Sequence, residues 1–306
     1  MHRIALVTFT LILAACQRAE EPAAVETTEP AAETAAAATV EADRLAEVLA
    51  DQPDAVKARY AHRNPQETLE FFGIEPGMTV LEALPGGGWY SKILLSYLGS
   101  DGRLIGADYS NDMYPLFSFA TEEYLARKAE WVTTWTADAE GWSGDDGAAV
   151  TAFHLGSMPG ELEGTADAAI FVRALHNLAR FRDEGPFLDE ALDEAYRALK
   201  PGGVLGVVQH EARADMPDDW AIGSNGYVKK QFIIDRVTAA GFEFVAESDI
   251  NENPNDRPTT EDFVWRLPPT LRTSRDDPEL RAELEAVGES HRMTLKFRKP
   301  DQGSAP

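Results

Sequence analysis

The sequence predicts an α/β fold, a mostly parallel β-sheet covered by helices on both faces. Three observations carry the prediction. Apolar runs of strand character alternate along the chain with segments of helical character. Three consecutive glycines, Gly86 to Gly88, join one such strand to the helix behind it. A chain of 306 residues with 44% hydrophobic content can also bury a full core, most simply as one large domain with a tail.

From the N-terminus, residues 1–15, "MHRIALVTFTLILAA", give a short basic start at His2 and Arg3, an apolar run from Ile4 to Leu13, then small residues. This is the layout of an export signal, and the run is too short to span a bilayer comfortably. "LAAC", Leu13 to Cys16, resembles the lipobox of bacterial lipoproteins. The resemblance implies cleavage before Cys16 and acylation of that residue. Cys16 is the only cysteine, so there can be no intramolecular disulfide and no cysteine-rich metal site. Residues 16–44 are expected to form a tether, since as far as Thr39 they are almost wholly Ala, Glu, Thr and Pro, a composition that stays extended and solvated. The folded domain is expected over 45–300, with 301–306 as a tail. The expected location is the bacterial cell envelope, lipid-anchored and facing the periplasm.

Within the domain, "RNPQETLEFFG" predicts a helix from Pro65 to Phe72, with Asn64 as cap, Glu67 at the capping-box distance and Gly73 as its stop. Strands are expected at Thr79 to Leu84 and Arg103 to Asp108, separated by a helix from Tyr90 to Leu98. "TADAAIFVRAL" (Thr165 to Leu175) reads as a buried strand. "FLDEALDEAYRALKPGG" reads as a helix with Leu188, Leu192, Ala195 and Leu199 on one face, stopped by Pro201 and Gly202. "VLGVVQH", "YVKKQFIIDRVTAAG", "FEFVAES" and "RMTLKFRK" follow as strand, helix, strand and strand. Ligands of such sheets bind at the carboxyl ends of the strands.

A formal net charge of -24 repels phosphate backbones and anionic lipid headgroups. Nucleic acid is excluded as a partner on this ground. Membrane contact reduces to the lipid anchor at Cys16, and the expected ligand is a small molecule.

Glu82, Gly86 and Gly88 keep the spacing E-x-G-x-G-x-G, with Leu84 where the first glycine would stand. Here the chain resembles class I S-adenosylmethionine-dependent methyltransferases. Within that group it is most similar to predicted bacterial methyltransferases with a "PGGGW" or "PGGGY" loop. The resemblance runs from about Tyr60 to Lys299 through "VLEALPGGGWYSKIL", the "GAD" strand end, "DAAIFVRALHNL", "LKPGGVLGVV" and "AAGF". It implies a doubly wound, Rossmann-like sheet with an antiparallel last strand, S-adenosylmethionine as cofactor, no metal, and methyl transfer to an unknown small-molecule acceptor. It also implies that Glu82 lies near the amino-acid end of the cofactor.

The residue types suit that chemistry. Gly86, Gly87 and Gly88 lack the Cβ atoms that would block a cofactor's approach to backbone. Asp108, ending the second strand, can accept hydrogen bonds from both ribose hydroxyls, or could simply cap a helix. Besides Leu84, the sequence departs from the family pattern in "VTAFHLGSMPGE", which has no obvious acidic residue to read adenine and leaves Ser157 or backbone for the task. A nicotinamide dinucleotide is the competing cofactor, because Gly86, Gly88, Ser91 and Asp108 imitate its fingerprint; Ser91 in place of Gly or Ala counts against it.

The candidate catalytic residues are His176 and His210, the latter beside Glu211, because both follow apolar strands and histidine titrates near neutrality. His176 could equally bond backbone in the following loop. Tyr60, His62 and Arg63 could fold over the cofactor or form a solvated turn. Two long segments, Tyr109 to Trp142 and Asn251 to Ser290, could wall a substrate pocket or pack an enlarged core. The envelope is also a compartment in which the cofactor is not made. The alternative function is therefore a non-enzymatic, ligand-binding envelope lipoprotein with a degenerate methyltransferase fold.

Overall fold

The computed structural model describes residues 44–301. The expectations for residues 1–43, Cys16 among them, lie outside the described residues.

The sheet comprises β1 (Thr79–Ala83), β2 (Arg103–Asp108), β3 (Ala149–His154), β4 (Ala166–Val172), β5 (Leu199–His210), β6 (Glu243–Ser248) and β7 (Arg292–Arg298). These seven strands lie in the order β3-β2-β1-β4-β5-β7-β6. Strands β1 to β5 pair in parallel, whereas β7 runs antiparallel to both its neighbours. The expected doubly wound, mostly parallel sheet with an antiparallel last strand is the fold.

Successive strand residues point to opposite faces, so each face builds its own core. Leu81, Ala83, Ile105, Ala107, Phe171, Leu205 and Val207 join one apolar cluster, and Val80, Leu104, Ile170 and Val208 join the other. Near-continuous apolar runs such as β4 follow from burial on both sides. The helices are α1 (44–51), α2 (Asp54–Lys57), α3 (Tyr60–Arg63), α4 (Pro65–Phe72), α5 (Trp89–Leu98), α6 (Glu122–Ala129), α7 (Trp131–Ser143), α8 (Leu175–Ala179), α9 (Phe187–Ala198), α10 (Lys230–Ala239) and α11 (Pro278–Val287). Leu45 and Leu49 of α1, Phe72 of α4, Ile93 and Leu94 of α5 and Trp135 of α7 pack into the second cluster. Glycines in the strands admit the larger rings: a Cβ on Gly206 would lie 2.6 Å from Phe72, and one on Gly106 would lie 2.5 Å from Trp135.

Two local expectations are corrected. Asn64 does not cap α4 with its side chain; it sits in the left-handed region (φ 40°), and its Nδ2 donates to the Ile250 carbonyl at 2.6 Å. The side chain gives its amide nitrogen to a tertiary carbonyl rather than its oxygen to the local N–H donors, while Pro65 and Gly73 bound the helix as expected. Helix α9 ends at Ala198, and Leu199 is already strand, paired with Ala166 of β4. Sheet pairing there overrides the helical periodicity.

Candidate functional site

The carboxyl ends of β1, β4 and β5 open into a cavity of about 450 Å3. Glu82 lies on the same face of β1 as Val80, beneath α5, and there it meets Ser91, whose hydroxyl donates to its carboxylate at 2.6 Å. Burial pushes the Glu82 carboxyl up to about 7, against the opposing pull of that hydrogen bond. Among the described residues no cation pairs with it. Leu84, in the place of a glycine, adopts a left-handed backbone (φ 54°), which glycine takes without strain and leucine does not.

The three glycines of the loop divide by role. Gly86 and Gly87 line the cavity, and a Cβ on Gly87 would meet nothing within 4 Å. Gly88 does not line it. A Cβ there would lie 2.3 Å from the Trp142 ring, so this glycine admits α7 to the loop.

Arg63 and Arg173 line the same cavity as the loop. Glu289 is buried and accepts from Arg63 Nε at 3.1 Å, from Arg292 Nη1 at 3.2 Å and from Arg59 Nε at 2.9 Å. Burial acts against ionisation of Glu289, but Arg292, Arg63 and Arg173 together hold its carboxyl below the usual range. Arg63 also stacks over Trp89, 4.5 Å from the ring centroid. Arg173, the first residue past β4, takes a left-handed backbone (φ 58°), and its buried Nε has no hydrogen-bond partner. Burial lowers the Arg173 pKa from its ordinary value.

Both candidate histidines reach this cavity. His176, opening α8, faces the Gln209 side chain, with its Nδ1 3.2 Å from Nε2. Burial lowers His176 to about 4, and Arg173 adds to the shift. Nδ1 of His210 lies 2.6 Å from the Ser290 hydroxyl. Burial, then His176 and Arg173, hold His210 well below the ordinary histidine value. Both imidazoles are neutral at pH 7 and weak as bases in the ligand-free protein.

Asp108 stands apart. It is buried, takes an ion pair from Lys128 of α6 at 2.7 Å, accepts from the Tyr109 amide at 2.9 Å, and does not line the cavity. The Tyr109 to Trp142 segment contributes nothing to the cavity wall; Trp131 and Trp135 are core residues. Ser157 donates to the His154 carbonyl at 2.7 Å and lines a separate depression with Ser110. The second long segment does build the wall, through Val264, Trp265, Pro268 and Pro269. Of the turn before α4, Arg63 lines the cavity, while Tyr60 packs edge-on against Trp89. His62 lies beside Gly288, where its ring is 3.0 Å from the place a Cβ would take. Arg173, Glu289 and Ser290 were not singled out from the sequence. An arginine directly after the apolar run Ala168 to Val172 was the one available sign.

No protein-family model matches the chain, and no curated protein matches it. Similar solved structures include the [4+2]-cyclase SpnF, 20% identical over 79% of this chain and 81% of that one, TM-score 0.48. Another is a SAM-dependent methyltransferase from Aquifex aeolicus, 16% identical over 81% of this chain and 98% of that one, TM-score 0.45. A third is a geranyl diphosphate methyltransferase in complex with SAM, 15% identical over 83% of this chain and 90% of that one, TM-score 0.46. Likenesses this distant carry no argument about what this chain does.

Proposed function

We propose that the chain is an S-adenosylmethionine-dependent methyltransferase acting on a small molecule. The observation that carries the reading is a buried carboxylate without a cation and an arginine lining one cavity. Glu82 is a buried carboxylate with no cation among the described residues, and Arg63, whose Nε is held by Glu289 at 3.1 Å, lines the same cavity. An α-ammonium and an α-carboxylate on one ligand answer both. The open turn at Gly86 and Gly87 lets such a ligand lie against backbone. S-adenosylmethionine has that amino-acid end and, when bound, supplies a methyl group on a sulfonium centre. The chain's own part is to orient an acceptor in line and exclude water, with His210 and His176 beside the acceptor's path. Titrating S-adenosylmethionine into the parent protein and into Gly87→Val tests this. Binding by the parent and its loss in the variant are expected; equal binding by both sinks the pocket assignment.

A second reading is favoured by Asp108, whose carboxylate is already held by Lys128 outside the cavity. In it the chain is a non-enzymatic envelope protein that binds a small zwitterion at Glu82 and Arg63. Free methionine binding as tightly as S-adenosylmethionine would decide for it.

The anchoring belongs to the same proposal: a lipid on Cys16 holds the protein to the cell envelope, facing the periplasm, and is its one contact with the membrane. Cys16→Ser is expected to abolish acylation. An acylated N-terminal peptide recovered from the variant would overturn the anchor.

A further inference from the structure

Once Glu82 and Arg63 are assigned to the amino-acid end of a cofactor, the cavity still holds an arginine whose side chain no group hydrogen-bonds. Arg173 lines the space, its Nε is buried, and among the described residues its side chain makes no hydrogen bond or ion pair. Its backbone holds a left-handed conformation that an arginine adopts only against steric cost, and such strain concentrates at ligand-binding positions. Glu289, the carboxylate whose charge acts on Arg173, already takes Arg59, Arg63 and Arg292. Arg63 and Arg173 line the cavity with Glu82 and Glu289, and because Glu289 is shared with Arg59 and Arg292 from outside the lining, no carboxylate among the described residues is left to bond Arg173.

We propose that Arg173 receives an oxyanion of the methyl acceptor, a carboxylate or phosphate group, and that the acceptor's remaining body lies against the apolar wall of Trp265, Pro268 and Pro269. The assignment rests on the methyltransferase reading and deepens it. A guanidinium matches either oxyanion through paired N–H donors. Val264 and Leu267 continue the same apolar wall, so a ligand with one charged end and an apolar body is the class that fits. Arg173 also lies close enough to His176 and His210 to depress both. An anion seated on it would offset that contribution, while burial, the larger cause, continues to hold both imidazoles down.

The same chemistry could come from the cofactor's own carboxylate, and the experiment separates the two sources. Inorganic phosphate is titrated calorimetrically into the full-length protein saturated with S-adenosylhomocysteine, and S-adenosylhomocysteine is titrated separately. Both are done with the parent, Arg173→Gln and the charge-conserving Arg173→Lys, after thermal melts show that each is folded. The expected result is phosphate binding to the parent complex, weakened at least tenfold in Arg173→Gln and less in Arg173→Lys, with S-adenosylhomocysteine affinity within threefold throughout. A tenfold loss of S-adenosylhomocysteine affinity in Arg173→Gln would give the guanidinium to the cofactor and overturn the proposal. So would a parent complex that ignores phosphate. Arg173-dependent phosphate binding by a protein that binds no S-adenosylhomocysteine would overturn the methyltransferase reading and the acceptor assignment, leaving only an anion site.

Discussion

Replacing Glu82 with Gln should stabilise the ligand-free protein at pH 8 and leave its stability unchanged near pH 4.5. Glu82 is buried, its one hydrogen bond comes from Ser91, and burial raises its pKa from 4.5 to about 7. Because the folded pKa lies above the unfolded one, the folded state binds more protons between them. Stability therefore falls as pH rises from about 4.5 through about 7. At about 1.36 kcal/mol per unit the full penalty is about 3 kcal/mol, reached above pH 7. Gln keeps the shape and an acceptor for Ser91 without the charge. For a domain of this size about 1 kcal/mol moves the melting temperature by roughly 2 to 4 °C, so the gain at pH 8 should be roughly 6 to 12 °C. Thermal melts of both proteins across pH 4.5 to 8, without ligand, measure it. A difference between them that does not change with pH would show that Glu82 ionises normally in the fold, and the case for an unmet carboxylate would collapse. The proposed ligand reverses the order. S-adenosylmethionine should bind the parent more tightly as pH rises through about 7, and should bind Glu82→Gln weakly at every pH.

Glu289 should behave with the opposite sign. Its pKa is depressed by Arg292, Arg63 and Arg173, so its stabilisation is complete above the unfolded carboxylate range and is lost as pH falls through the folded value. Glu289→Gln should cost about 3 to 5 kcal/mol at pH 7, read by urea melts, with the gap closing in acid; a cost below about 1 kcal/mol would contradict the buried network. The loop glycines should separate, since Gly87→Val meets open space and should keep its melting temperature while losing ligand. Gly88→Val meets Trp142 at a positive φ and should lose about 2 kcal/mol or more of stability. Equal stabilities in the two variants would refute that division. Asp108→Ala should lower stability by about 1 to 3 kcal/mol by stranding Lys128, with S-adenosylmethionine affinity within threefold of the parent; a tenfold loss of affinity would restore the ribose role expected from the sequence.

What could be read from the sequence was local. The strand–glycine–helix unit of Thr79 to Leu98 showed because an apolar run, a glycine turn and a helical pattern all lie within a few residues of one another, and the strand's alternation of faces puts Glu82 under α5. The antiparallel last strand came through the family resemblance, since β7 reads as any alternating strand. What stayed hidden depends on distant partners. Arg63 and Glu289 are separated by 226 positions, and Asn64 abandons a good local cap for a carbonyl 186 positions away. The sequence offers Asp108 as a ribose ligand, and nothing in "GAD" reveals that Lys128 returns to it from α6. Gly88 looked like clearance for a ligand, whereas Trp142 fills the space. The two long segments had similar aromatic content, and only the tertiary fold shows that Asn251 to Ser290 walls the cavity while Tyr109 to Trp142 packs the core.

The central claim is that the cavity beside Gly86 and Gly87 receives an amino-acid-bearing sulfonium cofactor. It is tested most directly by calorimetric titration of the purified protein at pH 8 with S-adenosylmethionine, and in parallel with 5′-methylthioadenosine, which lacks the amino-acid end. The account predicts one saturable site for S-adenosylmethionine and at least tenfold weaker binding of 5′-methylthioadenosine. Equal affinity for the two, or no binding of S-adenosylmethionine, would contradict it.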